Sequence, residues 1–318
     1  MRVSSEQLSA SVERGLQFLQ VNQRDSGEWP TLASPHLDLR DAEAYAKSPY
    51  ITSFVLHSLQ FLPADARIAA LQARAAAFLL AEREDSGAWN YEGRGDWRIP
   101  ADLDDTCCAM AGLIETGERP DLAFYTLLWG NEQEPGGPYY TWIDVNELAD
   151  SPLAKEVDAL VNANLVFCFG LLEMPLPGAV AYLVDLVQRA DYSASTIYGL
   201  SPHFLIYCLS RAAADGGVSD LQAALPRLQQ TILHELAAPA AEPAAFNLAC
   251  LTVALLNCGA DAATLAPYLS ALLAQQQPDG SWPAWAAWLS FRPNYDGAPA
   301  LTTALALEAL GKLASTAA

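Results

Sequence analysis

Three copies of one helix, turn and tryptophan unit constrain this chain more than any other feature. Residues 23–29 read Q-R-D-S-G-E-W, residues 83–89 read R-E-D-S-G-A-W and residues 276–282 read Q-Q-P-D-G-S-W. Each follows an amphipathic stretch with leucine at the same offset from the tryptophan (Leu19, Leu79, Leu272), and the first two also share Phe18 and Phe78. The pattern dictates a local geometry. The helix ends near the Gln or Arg, glycine supplies the positive φ of the turn, and tryptophan folds back over the helix end. Gln can then bridge neighbouring backbone groups. After a loop, each unit leads into a more uniformly apolar helix, at residues 51–62, 103–114 and 301–313.

The middle of the chain keeps the alternation without the tryptophan turn. Helical periods run through residues 157–172, 179–190, 197–212, 221–236, 244–257 and 262–275, with a weaker one at 122–129. This amounts to about twelve helices, or about six pairs. Helices apolar all round suit an inner wall and amphipathic ones an outer wall, so the expected fold is all-α, an (α/α)6 barrel formed by residues 1–318 as a single domain. The inner helices then run parallel, with their N-termini at one mouth. The longer irregular stretches, 30–49, 90–101, 130–152 and 283–299, all precede inner helices and crowd that mouth.

Composition narrows the partners. With 52% hydrophobic residues the chain can bury a large core, and 37 acidic against 17 basic residues give a net charge of −20, which repels nucleic acid and anionic membranes. The cysteines sit in apolar helical surroundings with no Cys-x-x-Cys spacing, as reduced core residues do. No apolar run is long enough for a transmembrane segment. The first eleven residues lack a cationic segment followed by an apolar one, so a cytoplasmic location is expected.

The segment R-G-L-Q-F-L at residues 14–19, followed by Gln23, Gly27 and Trp29, resembles at every fixed position the QW repeat of squalene-hopene cyclases and their relatives. The second copy departs from it by Arg83 in place of Gln, and the third lacks the aromatic. A second resemblance is chemical. Asp102-Leu103-Asp104-Asp105-Thr106 is similar to the DxDD motif of protonation-initiated, class II terpene cyclases, and it opens an inner helix directly after a tryptophan turn, as in that family. On the residues alone, Asp102 can equally be an N-cap, with Asp104 and Asp105 favoured by the helix dipole. The resemblance implies that Asp104 is the general acid, that Asp102 and Asp105 orient it, and that a histidine assists; His203, at the start of another apolar helix, is the best placed. Crowded, partly buried carboxyls suit that task because adjacent charges repel, so one of them keeps its proton at neutral pH.

The carbocation that follows has to be shielded from water, and aromatic faces do this by cation–π attraction. Trp285, Trp288, Phe291 and Tyr295 lie in one mouth loop and Trp142 in another; Tyr198 is read as starting an inner helix, and Tyr50 immediately precedes one. Asp158 and Asn162, four apart on an otherwise apolar helix, either line the cavity or satisfy loop backbone.

The resemblance thus implies cyclisation of a linear, hydrophobic isoprenoid, with a chain corresponding to the β domain of class II cyclases. Hopene and lanosterol cyclases are roughly twice this length, with the cavity between two barrels, so a single barrel has to close its pocket with its own loops, a second subunit or homodimer, or a smaller substrate. No D-D-x-x-D metal motif is present, so no cofactor is expected, apart from Mg2+ should the substrate be a diphosphate. Two alternatives carry other expectations. A protein prenyltransferase β-subunit would need a zinc site of Asp, Cys and His, for which no convincing set is present, and a barrel serving only as a binding or scaffold module would leave Asp104 dispensable.

Overall fold

Short polar side chains decide where the helices begin. Asp65, Asp102, Asp121, Asp158, Ser201 and Asp261 each precede a helix and accept a hydrogen bond from a backbone N–H of its first turn. The computed structural model describes residues 4–96, 98–143, 152–237, 243–289 and 294–316, and among them are twelve α-helices. Six form the inner wall: α2 (Pro49–Leu59), α4 (Leu103–Glu115), α6 (Ala159–Leu171), α8 (Pro202–Ala214), α10 (Ala245–Asn257) and α12 (Pro299–Thr316). Each packs on the next, and α12 returns to α2, so the wall is a closed ring. The six outer helices are α1 (Ser5–Asn22), α3 (Ala66–Ala81), α5 (Leu122–Gly130), α7 (Pro177–Arg189), α9 (Ser219–Ala237) and α11 (Ala262–Ala274). Every residue of α2 is buried, whereas α3 buries only Ile68, Leu71, Ala75, Phe78 and Leu79, which is the difference between a helix walled on all sides and one with a wet face. No helix is long and apolar enough to cross a membrane among the described residues.

The tryptophan turns rivet the two walls together. Nε1 of Trp29, Trp89 and Trp282 donates to the carbonyls of Leu19, Leu79 and Leu272, and the backbone N–H of each tryptophan donates to a threonine on the following inner helix, Thr52, Thr106 or Thr303. Gln23 donates to the carbonyl of Gly27 inside its own turn and to that of Leu71 on the neighbouring outer helix α3. Gln276 likewise spans Gly280 and Ser11 of α1, and so ties the end of the chain to its beginning. Arg83 replaces Gln by donating to Gly87 and clasping Asp121, the N-cap of α5. Gly27 and Gly280, with φ of 111° and 92°, each lie so close to the next outer helix that a Cβ would strike the carbonyl of Arg74 or Arg14.

At the mouth the chain adds a four-stranded antiparallel sheet that helical periodicity does not reveal. Strands β1 (Thr31–Ser34), β2 (Glu43–Ala46), β3 (Trp288–Leu289) and β4 (Tyr295–Gly297) lie in the order β2-β1-β4-β3, with Ala33 opposite Asp296. Helix α8 begins at Pro202, later than the apolar period beginning at residue 197 suggests, because Ser201 caps it and proline occupies its first turn. Tyr198 therefore does not start an inner helix. Its carbonyl accepts from the N–H of Leu289 at 3.0 Å, which moors this segment to the sheet.

Candidate active site

The N-terminus of α4 carries three carboxyls in three different situations. Asp102 is the N-cap and accepts from the backbone N–H of Asp105 at 2.7 Å. Burial, partly offset by hydrogen bonds from Asp105, raises its carboxyl to about 6. Asp105 is 2% exposed, and burial together with the neighbouring Asp102 holds it well above the usual carboxylate range, so it keeps its proton and donates it towards Asp102. Asp104 keeps part of its surface open to a cavity. Burial and then Asp102 push it up to about 8, although Asn164 and Tyr50 stabilise its charged form by hydrogen bonding. At neutral pH, then, Asp104 is a protonated acid next to a carboxyl that has largely lost its proton.

The cavity encloses about 670 Å³, counting the space at its open end, and Asp102, Asp104 and Asp105 all line it. Four of the aromatics singled out in the sequence line it as well: Tyr50, Trp142, Tyr198 and Trp288. They meet edge to face, Tyr50 with Trp288 at 5.1 Å and 87°, Trp142 with Tyr198 at 5.9 Å and 87°. Leu160 and Val161 supply apolar wall from the start of α6. A proton donor among ring faces and aliphatic carbon is a setting in which a cation can form and persist.

Other residues named from the sequence stand elsewhere. Asp158 is buried as the N-cap of α6, accepts from Leu160 at 2.7 Å, and with its other oxygen holds Thr196 at 3.0 Å and the N–H of Ile197 at 2.6 Å. Asn162 clasps the backbone N–H and carbonyl of Tyr139 at 2.9 and 3.1 Å. Both therefore satisfy loop backbone and do not line the cavity. His203 is likewise not among the residues lining the cavity, and its Nδ1 pairs with Ser201 Oγ at 3.1 Å. Trp285 packs against the core, and Tyr295 lies in β4, paired with Leu289; neither lines the cavity. Phe291 falls outside the described residues.

Some of the site carried no local signal. Asn164 is fully buried in the middle of α6 yet donates to Asp104 Oδ1 at 2.7 Å and to the Tyr50 hydroxyl at 3.2 Å. Its i+2 spacing from Asn162 on a helix could have shown that the two amides face different neighbours. Tyr91 donates to Asp296 at 3.1 Å and accepts from Trp288 Nε1 at 2.6 Å, and Tyr45 donates to Glu92; all five of these residues line the cavity. Tyr45 lies in β2, Tyr91 and Glu92 in the turn that precedes α4, and Asp296 in β4, so they come from segments far apart in sequence.

At the opposite end of the inner helices His57, Asp215 and Glu308 come close enough to chelate an ion among the described residues, but the Lys312 ammonium already contacts Asp215 at 2.6 Å. No family model matches the chain, and no curated protein sequence does. Solved structures do. The type II terpene cyclase MstE from Scytonema superposes with a TM-score of 0.74 at 18% identity over 98% of this chain and 99% of that one. The ent-copalyl diphosphate synthase from Streptomyces platensis gives 0.59 at 19% identity, over 83% of this chain and half of the synthase. An unsaturated glucuronyl hydrolase specific for heparin gives 0.66 at 15% identity over 99% of this chain, so the barrel also serves other chemistry. The chain has the helical barrel fold of type II terpene cyclases, and what it does has to be argued from its own side chains.

Proposed function

We propose that the protein is a class II terpene cyclase that protonates a linear isoprenoid and closes it through a carbocation. The observation that carries this reading is the placement of Asp104, which opens α4 beside Asp102 and Asp105 and faces an aromatic cavity, a setting that pushes its carboxyl up to about 8. Its O–H bond breaks as the terminal alkene of the substrate takes the proton. The alkene electron pair forms the new C–H bond, and a tertiary cation remains for the next alkene to attack. Loss of a proton, or capture of water, ends the sequence. Tyr50, Trp142, Tyr198 and Trp288 shield the cation, while Asp102 and Asp105 tune the acid.

The comparison supports the substrate class. Structures of MstE hold geranylgeranyl dihydroxybenzoate as substrate and merosterolic acid A as product. No resident cofactor enters the scheme; a diphosphate substrate would bring magnesium with it. The test is incubation with linear prenyl alcohols, prenyl diphosphates and prenylated aromatics in deuterated water. We expect a cyclic isomer or its hydrate carrying one solvent deuterium at the former terminal isoprene unit. A cyclic product without deuterium, or no product from any of the three classes, overturns the reading.

A further inference from the structure

A buried polar chain runs from the centre of the barrel to the acid. Arg211 on α8 is 2% exposed, and its guanidinium carbon lies 4.4 Å from the ring centre of Phe54 and 4.2 Å from that of Phe167. Its Nη2 donates to Asn164 Oδ1 at 2.6 Å. A guanidinium has donors and no acceptor, so the amide oxygen must face it and the amide nitrogen must face the other way. On that other side are Asp104 Oδ1 and the Tyr50 hydroxyl. Packing alone does not call for this arrangement, because an apolar side chain of similar volume serves a barrel core as well as a buried cation does.

We propose that Arg211 and Asn164 are positioning residues for the acid. Arg211 locks the Asn164 amide as a donor to Oδ1 of Asp104, which keeps the transferable proton on Oδ2. The inference rests on Asp104 being the acid. Were the amide free to turn over, its carbonyl would accept the carboxyl proton and hold it on the oxygen facing α6. The titratable and polar groups that interact with Asp104 include Tyr50 from α2, Asp102, Asp105, Cys107 and Cys108 of its own helix and cap, Asp158 and Asn164 of α6 and its cap, and from α8 Cys208 and, behind Asn164, Arg211. Of these, Asn164 and Tyr50 favour the charged carboxylate by direct hydrogen bonds.

The experiment is a carbon-13 NMR titration of the Asp104 carboxyl, with the resonance assigned through Asp104→Asn, in the wild type, Asn164→Ala, Arg211→Gln and Arg211→Lys. Loss of the amide donor in Asn164→Ala should raise the proton affinity of Asp104 about tenfold and lower kcat with little change in KM. Arg211→Gln should shift it in the same direction, because a glutamine amide can accept as well as donate and so no longer fixes which way Asn164 points, and Arg211→Lys, which can only donate, should recover part of the effect. An unmoved titration in folded Asn164→Ala and Arg211→Gln overturns the proposal, and if Arg211→Gln does not fold, Asn164→Ala decides alone. A shifted titration without any cyclised product supports the linkage and removes the cyclase reading. A deuterated product with an unmoved titration does the reverse.

Discussion

The two ends of the inner ring hold the same residue type in opposite states. At the N-terminal mouth Asp102, Asp104 and Asp105 are all raised, even though the helix dipole there favours the charged form. At the C-terminal end Asp215 is half-buried, which pushes it upward, but His57 and Lys312 outweigh this and hold it below its ordinary value. Burial alone would lower His57, yet Glu115, Asp215 and Glu308 carry it up to about 9. What differs is the company. Lys312 and His57 lie within reach of the acids at the base, whereas the charged groups nearest the three aspartates are other acids. Burial sets the cost of a charge, and the presence of a counter-ion decides whether a proton is kept to avoid it.

The most severe way to break the contrast is at the mouth. Asp104→Asn keeps the size and much of the hydrogen bonding but removes the acid, so kcat should fall about a thousandfold, measured with an authentic substrate. The wild-type rate should itself decline as pH rises through about 8, where Asp104 loses its proton. Because the folded-state value lies above the ordinary one near 3.8, the stability contributed by Asp104 is full below that value and is lost as pH rises through about 8. The same variant should therefore gain several kcal/mol, up to about 5 kcal/mol, at pH 8 in urea unfolding, while a loss of stability would show that the carboxyl is structural.

At the base the same kind of change should act on folding and leave chemistry alone. Lys312→Met strips Asp215 of its closest cation and should cost about 3 kcal/mol in urea unfolding, with turnover per folded molecule unchanged. A smaller test uses pH. His57 is raised from 6.5 to about 9, so its stabilising contribution is complete below 6.5 and disappears as pH climbs through 9. Stability should drop across that window in the wild type by on the order of 2 kcal/mol more than in His57→Gln, and parallel curves would remove His57 from the cluster as a charged member. The mildest change lies away from both ends. Gln23→Ala leaves the carbonyls of Gly27 and Leu71 without their donor and should cost about 1 kcal/mol in chemical unfolding, with no effect on the acid.

Local chemistry was legible in the sequence: the alternation of apolar and amphipathic helices, the tryptophan turns, and three aspartates at a helix start. Each depends on residues within a turn or two of one another, where spacing alone decides the geometry. Which aromatics face the cavity was not legible. Trp285 and Trp288 share a loop, yet only Trp288 lines the cavity, next to Tyr91 and Tyr50, because β3 pairs with β4 and β4 with β1, strands drawn from both ends of the chain. The sequence could not separate His203 from Asn164 either, since both lie on inner helices. Only the closed ring turns Asn164 to Asp104, sets Arg211 behind it, and leaves His203 paired with Ser201. A helical period determines which face is apolar, but the partner that face meets follows from long-range closure of α12 on α2, which no local pattern encodes.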